Sequence, residues 1–241
     1  MTTQMMTMEV RDELLTIRRE PATLFFSVLM PALFFALFVG MFNSTDTSDA
    51  GLIAPYGTFA VLAVVMLSPG VGLADARERG WLRVKRVSGV PLWMTLGAKV
   101  MATIPFALAV LLTMMVVAVV IGHMTIDVGV LIRVFAVLVL GAMPFALFSL
   151  AVGALAGTMA SVAILNAILM PMVVVSGLWF PHEIMPDWLV SIGQVMPAYH
   201  LAELAMVQVE GGPWLGHFAV VVATAAVGAI AAALAYRSAR P

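Results

Sequence analysis

Long stretches of this chain carry no charge, and their lengths constrain what it can fold into. Residues 21–45, 50–74, 100–126, 134–182 and 211–236 contain no Asp, Glu, Lys or Arg. A helix rising 1.5 Å per residue crosses roughly 30 Å of hydrocarbon with about 20 residues. Four of the stretches suit one crossing each. The stretch 134–182 suits two, with Gly157-Thr158-Met159-Ala160-Ser161 as the turn between them. The expectation is an all-α polytopic membrane protein in which residues 1–241 form a single transmembrane domain. Its six helices should lie near 22–42, 54–74, 97–121, 132–156, 162–180 and 214–236. Composition agrees: 63% of residues are hydrophobic and 10% charged, against roughly 45–50% and about 25% in soluble domains. The stretches do not alternate polar with apolar residues as the strands of a membrane barrel would.

Lys and Arg then set the orientation, because cytoplasmic loops hold the excess of both. An even number of spans puts the termini on one side. Every Lys and Arg except Arg133 falls there, while Asp46, Asp49, Asp127, Glu183, Asp187, Glu203 and Glu210 fall on the other. Both termini are therefore expected in the cytoplasm, with the protein in the plasma membrane. Ser48-Asp49-Ala50 loosely fits a signal-cleavage site, but the preceding segment is net acidic and its apolar run is too long, so the first helix is read as retained. The near-neutral balance, −1 at pH 7, gives no reason to expect nucleic acid as a partner. With no cysteine there is no disulfide and no Cys-ligated metal, and cysteine usage leaves the compartment open.

Three segments are more than plain spans. In residues 5–20, Met6, Val10, Leu14 and Ile17 recur at helical spacing among charges, and Pro21 ends the segment. This predicts an amphipathic helix lying in the cytoplasmic interface. The loop 75–91 holds five of the twelve Lys and Arg, with Trp81, Leu82 and Val87 interleaved and Gly89 and Pro91 as terminators. Positive-inside anchoring explains the sign of its charge. It does not explain Glu78 or the loop's length, whereas a docking helix for a cytoplasmic partner explains both. Between Phe180 and Glu210 the chain is too charged to span, yet Met185, Trp188, Leu189, Ile192, Val195 and Met196 form a helical stripe, Pro197 breaks it, and a second amphipathic stretch runs from Tyr199 to Gln208. Short helices at the outer interface, within 181–210, are expected.

Some chemistry is missing. There is no GxxxxGK[ST] phosphate loop; the lysines are Lys85 and Lys99, and Leu96-Gly97-Ala98-Lys99-Val100 lacks the glycine spacing. His182-Glu183-Ile184-Met185-Pro186 starts like HExxH but puts proline where the second histidine belongs. The span interiors lack the Asp, Glu, Lys or Arg that ion-coupled transporters use. Asn166, supported by Ser149, Ser68 and Thr113, is the most polar mid-span residue; it suits packing between helices, or contact with a substrate. Energy for any transport must then enter from outside the chain, through the charged loop.

The order of these features resembles the permease subunit of ABC-2 type transporters, the daunorubicin-resistance-like exporters. The resemblance runs over essentially the whole chain. It rests on the N-terminal amphipathic helix, the six spans, Arg77-Glu78-Arg79-Gly80-Trp81-Leu82 after the second span, and the stretch from Ser176-Gly177 through Phe180-Pro181 to Met185-Pro186-Asp187-Trp188-Leu189 and Pro197. It implies a dimer, with a second permease chain as homodimer or heterodimer, docked on two copies of a cytoplasmic ABC ATPase. ATP and Mg would bind that partner, and this chain would bind no cofactor. It implies that 5–20 is the elbow helix. Arg77, Glu78, Arg79, Gly80, Trp81, Leu82, Arg83 and Val87 would belong to the coupling element. Phe180, Pro181, Pro186, Trp188 and Pro197 would shape helices that cap the pathway. Helices two and five would line it, with Asn166 near the dimer axis. Family members export amphipathic drugs, antibiotics, lipids or polysaccharide precursors. The alternatives are a sodium-extruding permease of the same kind, a membrane-embedded enzyme using His182, Glu183, Asp187 and His200 as an outer metal site, and a scaffold or sensor subunit that transports nothing.

Overall fold

The computed structural model describes residues 2–18, 29–37, 49–120, 127–180 and 182–238, and these are helices joined by short turns. In chain order they are α1 (Thr2–Arg18), α2 (29–37), α3 (Asp49–Glu78), α4 (Trp81–Val87), α5 (Leu92–Val120), α6 (Val128–Leu155), α7 (Thr158–Val175), a 3-10 turn (His182–Ile184), α8 (Asp187–Gly193), α9 (Pro197–Glu210) and α10 (Leu215–Ser238). Five of them, α3, α5, α6, α7 and α10, are long and apolar enough to cross a membrane. The expected first span, 22–42, lies largely outside the described residues; its described part, α2, is helical and buries Ala32 and Phe35.

The spans run up and down with two distinct ends. One end carries α1, α4 and the turn between α6 and α7, and is called the basic end here. The other, the acidic end, carries Asp127, the 3-10 turn, α8 and α9. α3 is the inner helix, packed against α5, α6, α7 and α9, while α6 packs on α3, α9 and α10. Glycine makes the closest of these approaches possible. A Cβ on Gly153 of α6 would fall 2.0 Å from the Gly70 carbonyl oxygen of α3, and one on Gly70 would fall 2.3 Å from Ser149 Oγ. Between membrane helices, where lipid is as apolar as leucine, such small residues let backbones touch and gain dispersion energy. Gly141 likewise admits Leu201 of α9, and Gly228 of α10 lies against the Pro144 carbonyl of α6.

Several helix ends depart from the expected ranges for physical reasons. The charges of 75–78 extend α3 instead of starting a loop. Gly80, at φ 76°, then allows the left-handed break before α4, and Gly89, at φ 75°, the break after it. α5 begins at Leu92 rather than 97, so Lys99 sits inside a span-forming helix. α7 begins at Thr158, within the stretch expected to turn, and the turn shrinks to Ala156 and Gly157.

Candidate coupling site and pathway

The basic end is assembled around α4. Leu82 is half-buried against a cluster of Leu73, Leu150, Ala151, Ala154 and Ala235. On its other side α4 exposes Trp81, Val84 and Val87, at 55%, 53% and 90%. These positions, three residues apart, share one helix face. Arg79 is exposed and forms an i,i+4 ion pair with Asp75 at 2.8 Å. The side chains of Arg83 and Arg86 lie outside the described residues.

α1 packs on the start of α5 through the face bearing Met6, Glu9, Val10, Glu13 and Leu14. Met6 lies over Gly97, where a Cβ would be 3.1 Å from its terminal methyl. The expected stripe of Met6, Val10 and Leu14 thus faces protein; the Ile17 side chain lies outside the described residues. Glu9 and Glu13 are two of the charges interleaved with that stripe, which an amphipathic helix would turn to solvent. Instead Lys85 Nζ reaches Glu9 Oε2 at 2.5 Å, and Lys99 Nζ reaches Glu13 Oε2 at 2.9 Å. The Thr95 hydroxyl donates to Glu9 at 3.4 Å. Glu9 and Lys99 are both buried. A charge can be buried only when it is paired this closely, so the ion pairs lock α1, α4 and α5 together.

Arg77 and Glu78 point elsewhere. At the last turn of α3 they straddle the Ala156–Gly157 turn. The Arg77 guanidinium donates through Nη1 to the Ala154 carbonyl and through Nη2 to that of Ala156, the latter at 2.7 Å. Glu78 accepts from the Thr158 backbone N–H at 3.0 Å and from the Thr158 hydroxyl at 2.5 Å. A cation thus sits at the C-terminus of α6 and an anion at the N-terminus of α7, the signs that the two helix dipoles favour. Gly157 offers no side-chain cap of its own. A Cβ there would come within 2.5 Å of Glu78 Oε1 and displace the carboxylate.

α7 buries Ser161, Leu165, Leu169 and Val173, one residue per turn, against the bundle. Its opposite side is open and carries Met159, Ala160, Ala163, Ala167 and Met170, with Asn166 half-buried among them. The Asn166 side-chain nitrogen donates to the Val162 carbonyl at 2.9 Å.

The acidic end is held by rings. Trp179 stacks on Phe34 at 5.6 Å and meets Phe59 edge-on at 5.2 Å, while the Tyr56 hydroxyl donates to the Trp179 carbonyl at 3.0 Å. Gly193 of α8 lies so near the Val175 carbonyl that a Cβ would sit 2.1 Å from it. Phe180, Pro186 and Trp188 are exposed, Pro197 opens α9, and Pro181 lies outside the described residues. Among the described residues no three His, Asp or Glu converge as metal ligands. Of the residues considered for a metal, His182 and His200 instead join Tyr199 and His217. His200 Nδ1 and His217 Nδ1 are 3.0 Å apart, and the Tyr199 ring contacts all three imidazoles. Burial and the neighbouring His217 hold the His200 imidazole below its ordinary pKa; burial and Glu203 raise that of Tyr199. His217 escaped the sequence reading because it lies inside an expected span, where a histidine three residues past Trp214 was the available signal.

Comparison with known proteins agrees with this architecture. A family model described as ABC-2 type transporter matches residues 3–209. The chain is also similar to YvfS of Bacillus subtilis (strain 168), a protein provisionally named a transport permease, with 26% identity over 208 residues and 83% of each chain covered. The match takes in α1, the α4 region, the helices packed around α3, and α8 with most of α9. This chain is a multi-pass membrane protein and a member of the ABC-2 type transporter family, a transporter membrane subunit of a kind whose family implies an ATPase partner.

Proposed function

We propose that this chain is the permease subunit of an ATP-driven exporter that forms its pathway as a dimer and takes its energy from two copies of a separate ATPase docked at the basic end. The observation that carries the reading is α4. A helix of 7 residues is too short to persist alone, yet here it is braced by Lys85 against α1 and by Leu82 against the bundle while Trp81, Val84 and Val87 stay uncovered. A rigid, aromatic-bearing ridge in a basic surrounding suits insertion into a cleft of a cytoplasmic partner. The basic end then faces the cytoplasm of the plasma membrane, and ATP with Mg binds the partner.

The open face of α7 supports the dimer. Ala160, Ala163 and Ala167 would let a second backbone approach, and Asn166 gains a hydrogen-bond partner across such a contact that lipid cannot offer. Amphipathic drugs, antibiotics or lipid-like compounds fit a pathway walled by such methionine- and alanine-rich surfaces, since Met side chains adapt to varied shapes.

Purification of the tagged chain in mild detergent tests the reading. An ATPase with a phosphate loop should accompany it. Trp81→Glu should weaken that association by about 2 kcal/mol, roughly 30-fold, with insertion unchanged. Recovery of the chain without an ATPase under several mild conditions would overturn the reading.

A further inference from the structure

Arg77 and Glu78 stand beside the exposed ridge of α4 in the sequence, but their side chains are committed to other helices. Both Glu78 oxygens engage Thr158, and both terminal nitrogens of Arg77 engage carbonyls at the end of α6. We propose that this pair is a transmission clamp: Arg77 and Glu78 are positioning residues that pass movement of α4 to α6 and α7, rather than contacts for the ATPase. The inference rests on the permease reading above and adds the route by which work at the basic end reaches the span carrying Asn166.

Three independent features support it. The clamp lies at the last turn of α3, separated from α4 only by Arg79 and the left-handed Gly80, so displacement of α4 pulls on it directly. The two charges match the two helix ends they touch, and α7 has no cap within its own segment, so its first turn follows Glu78. About one turn up α6 and two turns up α3, Gly153 rests on the Gly70 backbone; α3 and α6 cannot slide past each other there without a clash. The basic ends of α3, α6 and α7 therefore move as one body, and α4, braced by α1, is the lever on it.

The absence of cysteine makes the test direct. Single Ser88→Cys (end of α4) and Met159→Cys (start of α7) chains, both at exposed positions, carry an environment-sensitive fluorophore in the complex with the ATPase that copurifies. ATP with vanadate should change both signals in the otherwise unsubstituted chain. Glu78→Ala and Thr158→Val should keep the ATPase bound and the Ser88 response intact while the Met159 response falls several-fold. The double variant should be no worse than Glu78→Ala alone, because Thr158→Val removes only the hydroxyl bond while Glu78→Ala removes that bond and the one from the Thr158 N–H, and Glu78→Gln, which can still accept from Thr158, should recover much of the response. Thr158→Val keeps the side chain's shape and so guards against a trivial folding loss. Persistence of the Met159 response in both variants would overturn the clamp. So would a silent Thr158→Val beside a Glu78→Ala chain that no longer binds the ATPase, since Glu78 would then be a direct contact. If neither label responds in the otherwise unsubstituted complex, the permease reading itself fails and the clamp with it.

Discussion

At the basic end, charges from separate helices close on one another: Glu9 and Glu13 of α1 on Lys85 of α4 and Lys99 of α5, and Arg77 and Glu78 of α3 on the ends of α6 and α7. At the acidic end the joints are rings and backbone contacts: Trp179 between Phe34 and Phe59, Tyr199 among three imidazoles, and α8 resting through Gly193 on α7. Several polar atoms there, Ser176 Oγ, Trp179 Nε1 and His182 Nε2, have no protein partner. Paired charges are directional and lose much when separated, whereas ring contacts are individually weak and tolerate sliding. Under the proposed function, the stiffer basic end is the one that would receive force from the ATPase.

The contrast can be broken most severely at Lys99. Lys99→Ala would leave Glu13 only Lys85, 3.8 Å away, so the loss should approach but not exceed the roughly 3–5 kcal/mol of a fully broken buried pair, seen as a large drop in the detergent melting temperature. Lys99→Met with Glu13→Leu should restore most of the loss, because the penalty is the unpaired charge. Next comes Gly153→Ala, which forces a methyl against the Gly70 carbonyl and should cost about 1–3 kcal/mol by overpacking. Gly89→Ala, with nothing near its Cβ position, should cost only the left-handed strain at φ 75°, about 1 kcal/mol.

The smallest expected effect sharpens the acidic end. His200 and His217 face each other through Nδ1, so one must donate and the other accept. Because burial and His217 lower the pKa of His200, the contact is fully present above the ordinary histidine value of about 6.5 and is lost as pH falls below it toward the lowered folded value. Melting measured from pH 7.5 to pH 5 should show a shallow decline that His200→Gln flattens; an unchanged slope in that variant would remove the pair from the account.

How much of this was legible beforehand follows from the range of the interactions. The five spans among the described residues were visible because an uncharged run of bilayer length is a local property. The short helices α8 and α9 showed through their apolar stripes and Pro197. A separate element between the second and third expected spans showed through its charge, although the helix breaks at Gly80 and Gly89 flank a shorter element than the loop suggested. The clamp was not legible. The cap of α7 comes from Glu78, and Gly157-Thr158 with its polar neighbours therefore looked like a longer turn. The same blindness hid Glu9 and Glu13: on a helical projection they read as solvated, and only their distant partners Lys85 and Lys99 draw them inward.

The most direct test of the central claim, that the basic end docks the energy source and the acidic end does not, is site-specific crosslinking in native membranes. Val87 is 90% exposed on α4 and Trp188 is 65% exposed on α8. With a photoreactive crosslinker on Val87→Cys, the account predicts a single major adduct with a cytoplasmic ATPase whose yield changes on adding ATP, and no such adduct from Trp188→Cys. An ATPase captured from Trp188→Cys, or none from Val87→Cys, would contradict it.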